Sequence, residues 1–122
     1  MKLKKLHRAA FTLVEIMIVV AIIGMLAAIA IPNFVKARNT AQANACISNM
    51  HQIDSAIQQW ALEKGKKDLD PVVEAEIQEY IKGNVMPTCP AGKATYTVGP
   101  NVNSTPSVQC PNAASKPPHE LK

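Results

Sequence analysis

An unbroken apolar segment near the N-terminus limits what this chain can fold into. Residues 16–31, IMIVVAIIGMLAAIAI, carry no charged or hydrogen-bonding side chain, and from residue 11 to residue 35 the only charged side chain is Glu15. As a helix this longer segment would extend about 37 Å, which is enough to cross a bilayer. A small domain cannot bury a helix that is apolar on every side. The segment is therefore predicted to span a membrane; a buried core helix is the less favoured alternative.

The distribution of charge predicts the orientation of this helix. The net charge of the chain is +4, and all of it comes from four basic residues that precede the apolar segment: Lys2, Lys4, Lys5 and Arg8. Because basic residues beside a membrane helix stay in the cytoplasm, we expect a cytoplasmic N-terminus and a C-terminal part outside it. The rest of the chain is neutral and shows no basic stripe, so no nucleic-acid partner is expected.

Beyond Pro32 the pattern becomes amphipathic. Apolar residues recur at intervals of three and four and so share one helical face: Cys46, Met50, Ile53, Ile57 and Trp60. We predict one helix from about Phe11 to Lys64, ended by Gly65. Gly24 and Pro32 are its weak points, because both residues disfavour a helix interior.

The remaining residues predict a small head. Asp70-Pro71 would begin a short helix that Gly83 stops, and residues 94–98 and 107–110 would form a strand pair. The predicted fold class is α+β: a long N-terminal helix, half transmembrane and half amphipathic, packed on a head with a short helix and a small antiparallel β element. The predicted segments are a basic leader (1–10), an apolar helix (11–35), its amphipathic continuation (36–65) and the head (66–122).

The three cysteines follow the apolar segment, in a compartment where disulfides persist. Cys89 and Cys110 flank the strand pair, and a disulfide between them would stabilise the head by about 3 kcal/mol. A bridge from Cys46 to either one stays open. A zinc site formed with His51 or His119 is disfavoured, because the spacing matches no compact ligand motif. We expect no metal, and we expect His119 to lie on the surface.

The segment FTLVEIMIVVAIIGMLAAIAIPNF, residues 11–34, behind a short Lys-rich leader, resembles the N-terminus of type IV pilins and type II secretion pseudopilins. Phe11, Glu15 and Pro32 occupy that family's hallmark positions. The resemblance implies that a prepilin peptidase cuts between Ala10 and Phe11 and that the new amino group of Phe11 is methylated. The family usually has glycine where this chain has Ala10.

The resemblance also implies roles in assembly. Glu15 would neutralise the new amine of Phe11 and fix the register between subunits, since an unpaired charge in an apolar filament core is expensive. The stretch from Gly24 to Pro32 resembles the region that loses helical order in such filaments. The partners would be copies of the chain, other pilin-like subunits, the peptidase and an inner-membrane assembly platform.

We therefore expect a structural filament subunit and not an enzyme, with no cofactor. The family's major pseudopilins have a calcium site, but after Met86 the only acidic residue is Glu120, so no calcium is expected. The subunit would cross the inner membrane once, with a periplasmic head, and then enter a filament in the periplasm or outside the cell.

The short head favours a pseudopilin over the alternative, a small type IV pilin serving adhesion, motility or DNA uptake. Two weaker alternatives remain. One is a secreted protein cut after the A-x-A pattern of residues 28–30, and the other is a simple membrane anchor for a binding head.

Overall fold

The computed structural model describes residues 9–121. The basic residues of the predicted leader, Lys2, Lys4, Lys5 and Arg8, lie outside the described residues. Helix α1 spans Leu13–Lys64, helix α2 spans Glu74–Ile77, and a 3₁₀ turn follows at Gln78–Tyr80. Strands β1 (Thr97–Val98) and β2 (Val108–Gln109) complete the element order. The chain divides into two units at Lys36–Ala37, a boundary that falls inside α1.

The long helix predicted from the sequence is confirmed. It begins at Leu13, two residues later than expected, and it continues through Gly24 and Pro32. Loss of helical order between Gly24 and Pro32 was expected in a filament, so it stays a prediction about the assembled state.

Gly65 ends α1 as predicted. It adopts a left-handed conformation with φ of 62°. The N–H of Lys66 donates to the Ala61 carbonyl at 2.8 Å, and the N–H of Gly65 donates to the Leu62 carbonyl at 3.4 Å. This pair of bonds is the Schellman motif, which satisfies carbonyls that the helix itself cannot.

Replacing Gly65 with alanine should lower the free energy of unfolding of the head by about 1 kcal/mol, because a Cβ disfavours positive φ. A Cβ here would meet no atom within 4 Å, so strain in the backbone is the only cost. The matched control is Gly65→Asn, which should cost less since asparagine tolerates this conformation. Thermal unfolding of both variants in detergent measures the difference, and equal Tm values would contradict this account.

The predicted apolar face of α1 forms one side of the core in the second unit. Its buried residues are Ala43, Cys46, Met50, Ile53, Ala56, Ile57, Trp60 and Ala61. Residues from the later segments pack against this face: Ile77, Ile81, Cys89, Tyr96, Val102, Val108 and Cys110. The spacing of three and four along α1 thus corresponds to a buried stripe.

The short helix of the head differs from the prediction at its start. Asp70 does not cap it; α2 begins after Val73, which makes no side-chain cap. The reason is a competing extended pairing, because Pro71 bridges to Asn101 and the Val102 N–H donates to the Asp70 carbonyl at 3.2 Å. The Asp70 carboxylate instead accepts the Lys67 N–H at 2.7 Å and closes a turn.

The predicted strand pair is present but short. Strands β1 and β2 are antiparallel, with Thr97 opposite Gln109 and Val98 opposite Val108. Prolines at positions 106 and 111 flank β2, and a proline has no N–H to donate to a ladder. The pairing therefore covers two residues on each strand within the part of the chain described.

Candidate functional site

The first turn of α1 is closed by a reciprocal pair of hydrogen bonds. The Thr12 N–H donates to Glu15 Oε2 at 2.8 Å, and the Glu15 N–H donates to Thr12 Oγ1 at 3.3 Å. This is a capping box, in which two side chains satisfy two backbone donors that the helix leaves unpaired. Sequence reasoning missed it, although the T-x-x-E pattern of residues 12–15 was the available signal. Glu15 is therefore held at a defined position at the helix start.

The predicted cleavage bond lies just before this cap. Residues 9–12 precede α1, are exposed and adopt no helix or strand. The side chain of Phe11 is 82% exposed. The bond between Ala10 and Phe11 thus lies in an exposed segment outside the helix, where no helical hydrogen bonds have to be broken before a protease can bind it. The cleavage itself stays a prediction.

The first half of α1 presents apolar side chains on all sides. Between residues 11 and 35 every side chain is exposed except that of Ala27, which is half-buried. By length and composition this helix can cross a membrane. So much exposed apolar surface in a soluble chain would cause aggregation, so lipid or other apolar helices must cover it.

A second cluster of chemically capable residues lies in the head. One ligand atom from each of four residues lies within 4.8 Å of the other three, and all four residues are buried: Cys46, Cys89, Cys110 and His119. We call this group the cysteine–histidine cluster. His119 Nδ1 lies 3.5 Å from Cys89 Sγ and 4.0 Å from Cys110 Sγ. The sequence placed His119 on the surface, and this was wrong, because its side chain is only 3% exposed.

Separate elements position these four side chains. Cys46 is on the buried face of α1, Cys89 lies in a loop, Cys110 directly follows β2, and His119 comes from the irregular C-terminal segment. All three cysteines of the chain are in the described part and are free thiols. The disulfide predicted between Cys89 and Cys110 stays a prediction. What the structure adds is that Cys46 and His119 lie beside the same two sulfurs.

The three thiols of the cluster have different pKa values because their surroundings differ. Burial raises the pKa of Cys46 to about 12, and burial also raises the pKa of Cys110. At Cys89 burial acts in the same direction, but hydrogen bonds from Asn112, His119 and Cys110 outweigh it and lower the pKa to about 6. The thiol of Cys89 therefore has the lowest pKa of the three.

Comparison with known proteins gives the family. The family model of the prokaryotic N-terminal methylation motif matches residues 5–31. The ComG operon protein 3 homolog of Bacillus licheniformis is 30% identical over 89 residues, which cover 73% of this chain and 89% of that protein. The chain belongs to the type IV pilin and pseudopilin family.

Other relatives of this pilin-like protein fall into two groups. The type IV major pilin protein PilA of Myxococcus xanthus is 46% identical over 56 residues, or 46% of this chain and 26% of that pilin. The type II secretion system core protein G of Pectobacterium carotovorum is 32% identical over 84 residues, or 61% of this chain and 54% of that protein. The chain thus spans about a quarter of the Myxococcus pilin and about half of the secretion protein. No solved structure gives a significant match.

The two regions described above therefore belong to a pilin-like protein, and its α1 is long and apolar enough to cross a membrane. Phe11, Glu15 and the predicted cleavage bond occur together at the start of α1. The cysteine–histidine cluster lies in the second unit and shares no residue with the N-terminal motif.

Proposed function

We propose that this protein is cut between Ala10 and Phe11 and then assembles as a pseudopilin of a type II secretion-like system. The observation that carries the proposal is the start of α1. There a carboxylate is fixed by the Thr12–Glu15 capping box one helical turn from Phe11, at the head of an exposed apolar helix. A capping box in a simple anchor would work equally well with glutamine, so only the assembly role makes use of the negative charge of Glu15.

The physical basis of assembly is charge pairing in an apolar setting. Cleavage would leave a positive amine on Phe11, and Glu15 of the same or a neighbouring subunit can neutralise it. Burial of the new amine among apolar helices is expensive unless it is paired. Where the carboxylate comes from a neighbouring subunit, only alignments that bring it to the amine avoid that cost, so an intersubunit pair would select one register between neighbouring helices.

The relatives support the pseudopilin over the pilin. Similarity to the ComG and secretion proteins covers 73% and 61% of this chain, so it continues beyond the N-terminal half of α1. Similarity to the Myxococcus pilin is limited to 56 residues of a much longer protein. The small head fits a short filament that works within the cell envelope.

The proposal includes a topology and a set of partners. The basic leader would stay in the cytoplasm and the head would lie in the periplasm, as the charges predict. A prepilin peptidase and an inner-membrane assembly platform would act on the subunit, and the protein itself would catalyse no reaction.

A small type IV pilin is the second candidate, supported by the 46% identity to the Myxococcus pilin over the N-terminal region. Deletion of the gene separates the two. Loss of proteins from the culture medium with unchanged surface filaments would support the pseudopilin. Loss of surface filaments with normal secretion would support the pilin.

Mass spectrometry of the N-terminal peptide, from protein isolated from its own membranes, tests the processing step. We expect a chain that begins with N-methylated Phe11. A chain that begins at Ile31 would mean cleavage after the A-x-A pattern and release of a secreted protein, which would overturn the proposed function.

A further inference from the structure

We propose that the cysteine–histidine cluster binds one Zn²⁺ ion as a closed structural site. The site would use three sulfurs and one imidazole nitrogen, a ligand set typical of structural zinc, which is four-coordinate and tetrahedral. This inference does not depend on the filament role, since the cluster lies in the head and shares no residue with the N-terminal motif.

The distances within the cluster agree with tetrahedral coordination. Zinc bonds of about 2.3 Å to sulfur and 2.0–2.1 Å to nitrogen place neighbouring ligand atoms about 3.5–3.8 Å apart. His119 Nδ1 lies 3.5 Å from Cys89 Sγ and 4.0 Å from Cys110 Sγ. All four ligand atoms lie within 4.8 Å of one another, so a contraction of about 1 Å or less would complete the shell.

A pairwise disulfide accounts for less of this arrangement. Its two sulfurs would have to come to about 2.05 Å, and the third thiol and the imidazole would be left in the interior beside it. His119 is 3% exposed, and its Nδ1 faces sulfur atoms. A zinc ion uses all four groups and leaves no ligand over. Each of the three cysteine residues is 4% exposed or less, so oxidants in solution have little access to the sulfurs.

Neighbouring groups already orient the sulfurs. The Asn112 N–H donates to Cys110 Sγ at 3.4 Å, and Asn112 Nδ2 donates to Cys89 Sγ at 3.5 Å. Asn112 Nδ2 also donates to the Ala91 carbonyl, which fixes the loop after Cys89. Donors aimed at ligand sulfurs are a regular part of metal sites, because they stabilise the thiolate and orient it.

A second set of bonds ties the helix ligand to the loop ligand. Asn49, one turn after Cys46 on α1, donates from Nδ2 to the Thr88 carbonyl at 3.2 Å and to the Tyr96 hydroxyl at 3.3 Å. The Tyr96 hydroxyl in turn donates to the Cys46 carbonyl at 3.4 Å. The backbone beside Cys46 and the backbone beside Cys89 are thus joined without a metal.

The sequence spacing argued against zinc because the four ligands are far apart along the chain. In the fold they come from α1, a loop, the end of β2 and the C-terminal segment, and they meet inside the head. The cysteines bind Zn²⁺ as thiolates, so the protons still held on their sulfurs go to solvent as the Zn–S bonds form, with no change of oxidation state. The ion would join the irregular C-terminal segment to α1 in a head whose two strands are short.

The first experiment measures metal in the full chain, purified in detergent without exposure to air. We expect about one zinc ion per chain by elemental analysis. After removal of the zinc, Co²⁺ should give the visible absorption of a tetrahedral thiolate site. Wild-type protein from its own cells that holds a disulfide and no zinc, or that shows no tetrahedral Co²⁺ spectrum when reduced, would overturn the proposal.

Variants locate the ion. His119→Ala should weaken Zn²⁺ binding by tenfold or more, whereas His51→Ala, an exposed histidine on α1, should leave it unchanged. Equal losses in the two variants would mean surface binding and would contradict the site. Because a ligand variant can also unfold the head, Asn112→Ala gives a milder test, with affinity about 10- to 100-fold lower. Its matched control is Asn103→Ala, at an exposed position, and an unchanged affinity in Asn112→Ala would count against the geometry.

Discussion

Replacement of Glu15 with alanine is expected to leave the chain in the membrane and to reduce the yield of assembled filament by more than tenfold. Membrane insertion should be unimpaired, because a carboxylate costs about 2.5–3.5 kcal/mol at the centre of a membrane helix and alanine removes whatever part of that cost applies in the first turn of α1. Assembly should fail because the Phe11 amine would then enter an apolar core without a partner. The measurements are the amount of protein in the membrane fraction and the yield of filaments sheared from the cells or their envelopes.

Two further variants separate the charge of Glu15 from its part in the capping box. Glu15→Gln can still accept the Thr12 N–H, since glutamine serves in capping boxes, but it carries no charge. It should therefore fail to assemble, as alanine does. Thr12→Val removes the hydroxyl acceptor and keeps the carboxylate, so it should assemble. Normal filament yield from Glu15→Gln would show that capping, and not charge, is what assembly requires.

The elements that could be predicted from the sequence are those with strong local signals. The apolar segment and the three-four spacing after Pro32 predicted α1 and its buried face, and Gly65 predicted its end. Each of these signals acts within one or two helical turns, so no knowledge of distant residues was needed. The roles of Phe11 and Glu15 come from the family resemblance of the contiguous N-terminal motif, and they stay predictions.

The Thr12–Glu15 capping box was missed although its signal is local, whereas the other missed features depend on contacts between distant segments. Asp70-Pro71 has the local chemistry of a helix start, but its backbone pairs with residues 100–102. Because of that pairing, α2 begins further along the chain, at Glu74. His119 lies in a Pro-rich tail that predicts an exposed position, yet it is buried against sulfurs from three other segments. Neither outcome has a local signal, since each is decided by which segments meet in the fold.

Trp60 joins the end of α1 to the segment after it. Its side chain is fully buried, and its Nε1 donates to Glu76 Oε2 at 2.7 Å. The ammonium of Lys66 lies 5.4 Å from the ring centroid, within the range of a cation–π contact. Nearby, the Tyr80 hydroxyl donates to Glu63 Oε2 at 2.6 Å. The indole thus provides apolar packing and a polar link between α1 and α2.

Replacement of Trp60 with alanine should lower the free energy of unfolding of the head by about 3–5 kcal/mol, because it removes the largest buried side chain and leaves a cavity. A head this small has little stability beyond that amount, so most of the variant should be unfolded at growth temperature. Trp60→Phe keeps a ring but loses the bond to Glu76, and it should cost less, about 1–3 kcal/mol. Denaturant titration of the full chain in detergent, followed by circular dichroism, measures both values. If the alanine variant were no less stable than the phenylalanine variant, the packing of the ring would not be what stabilises this end of the head.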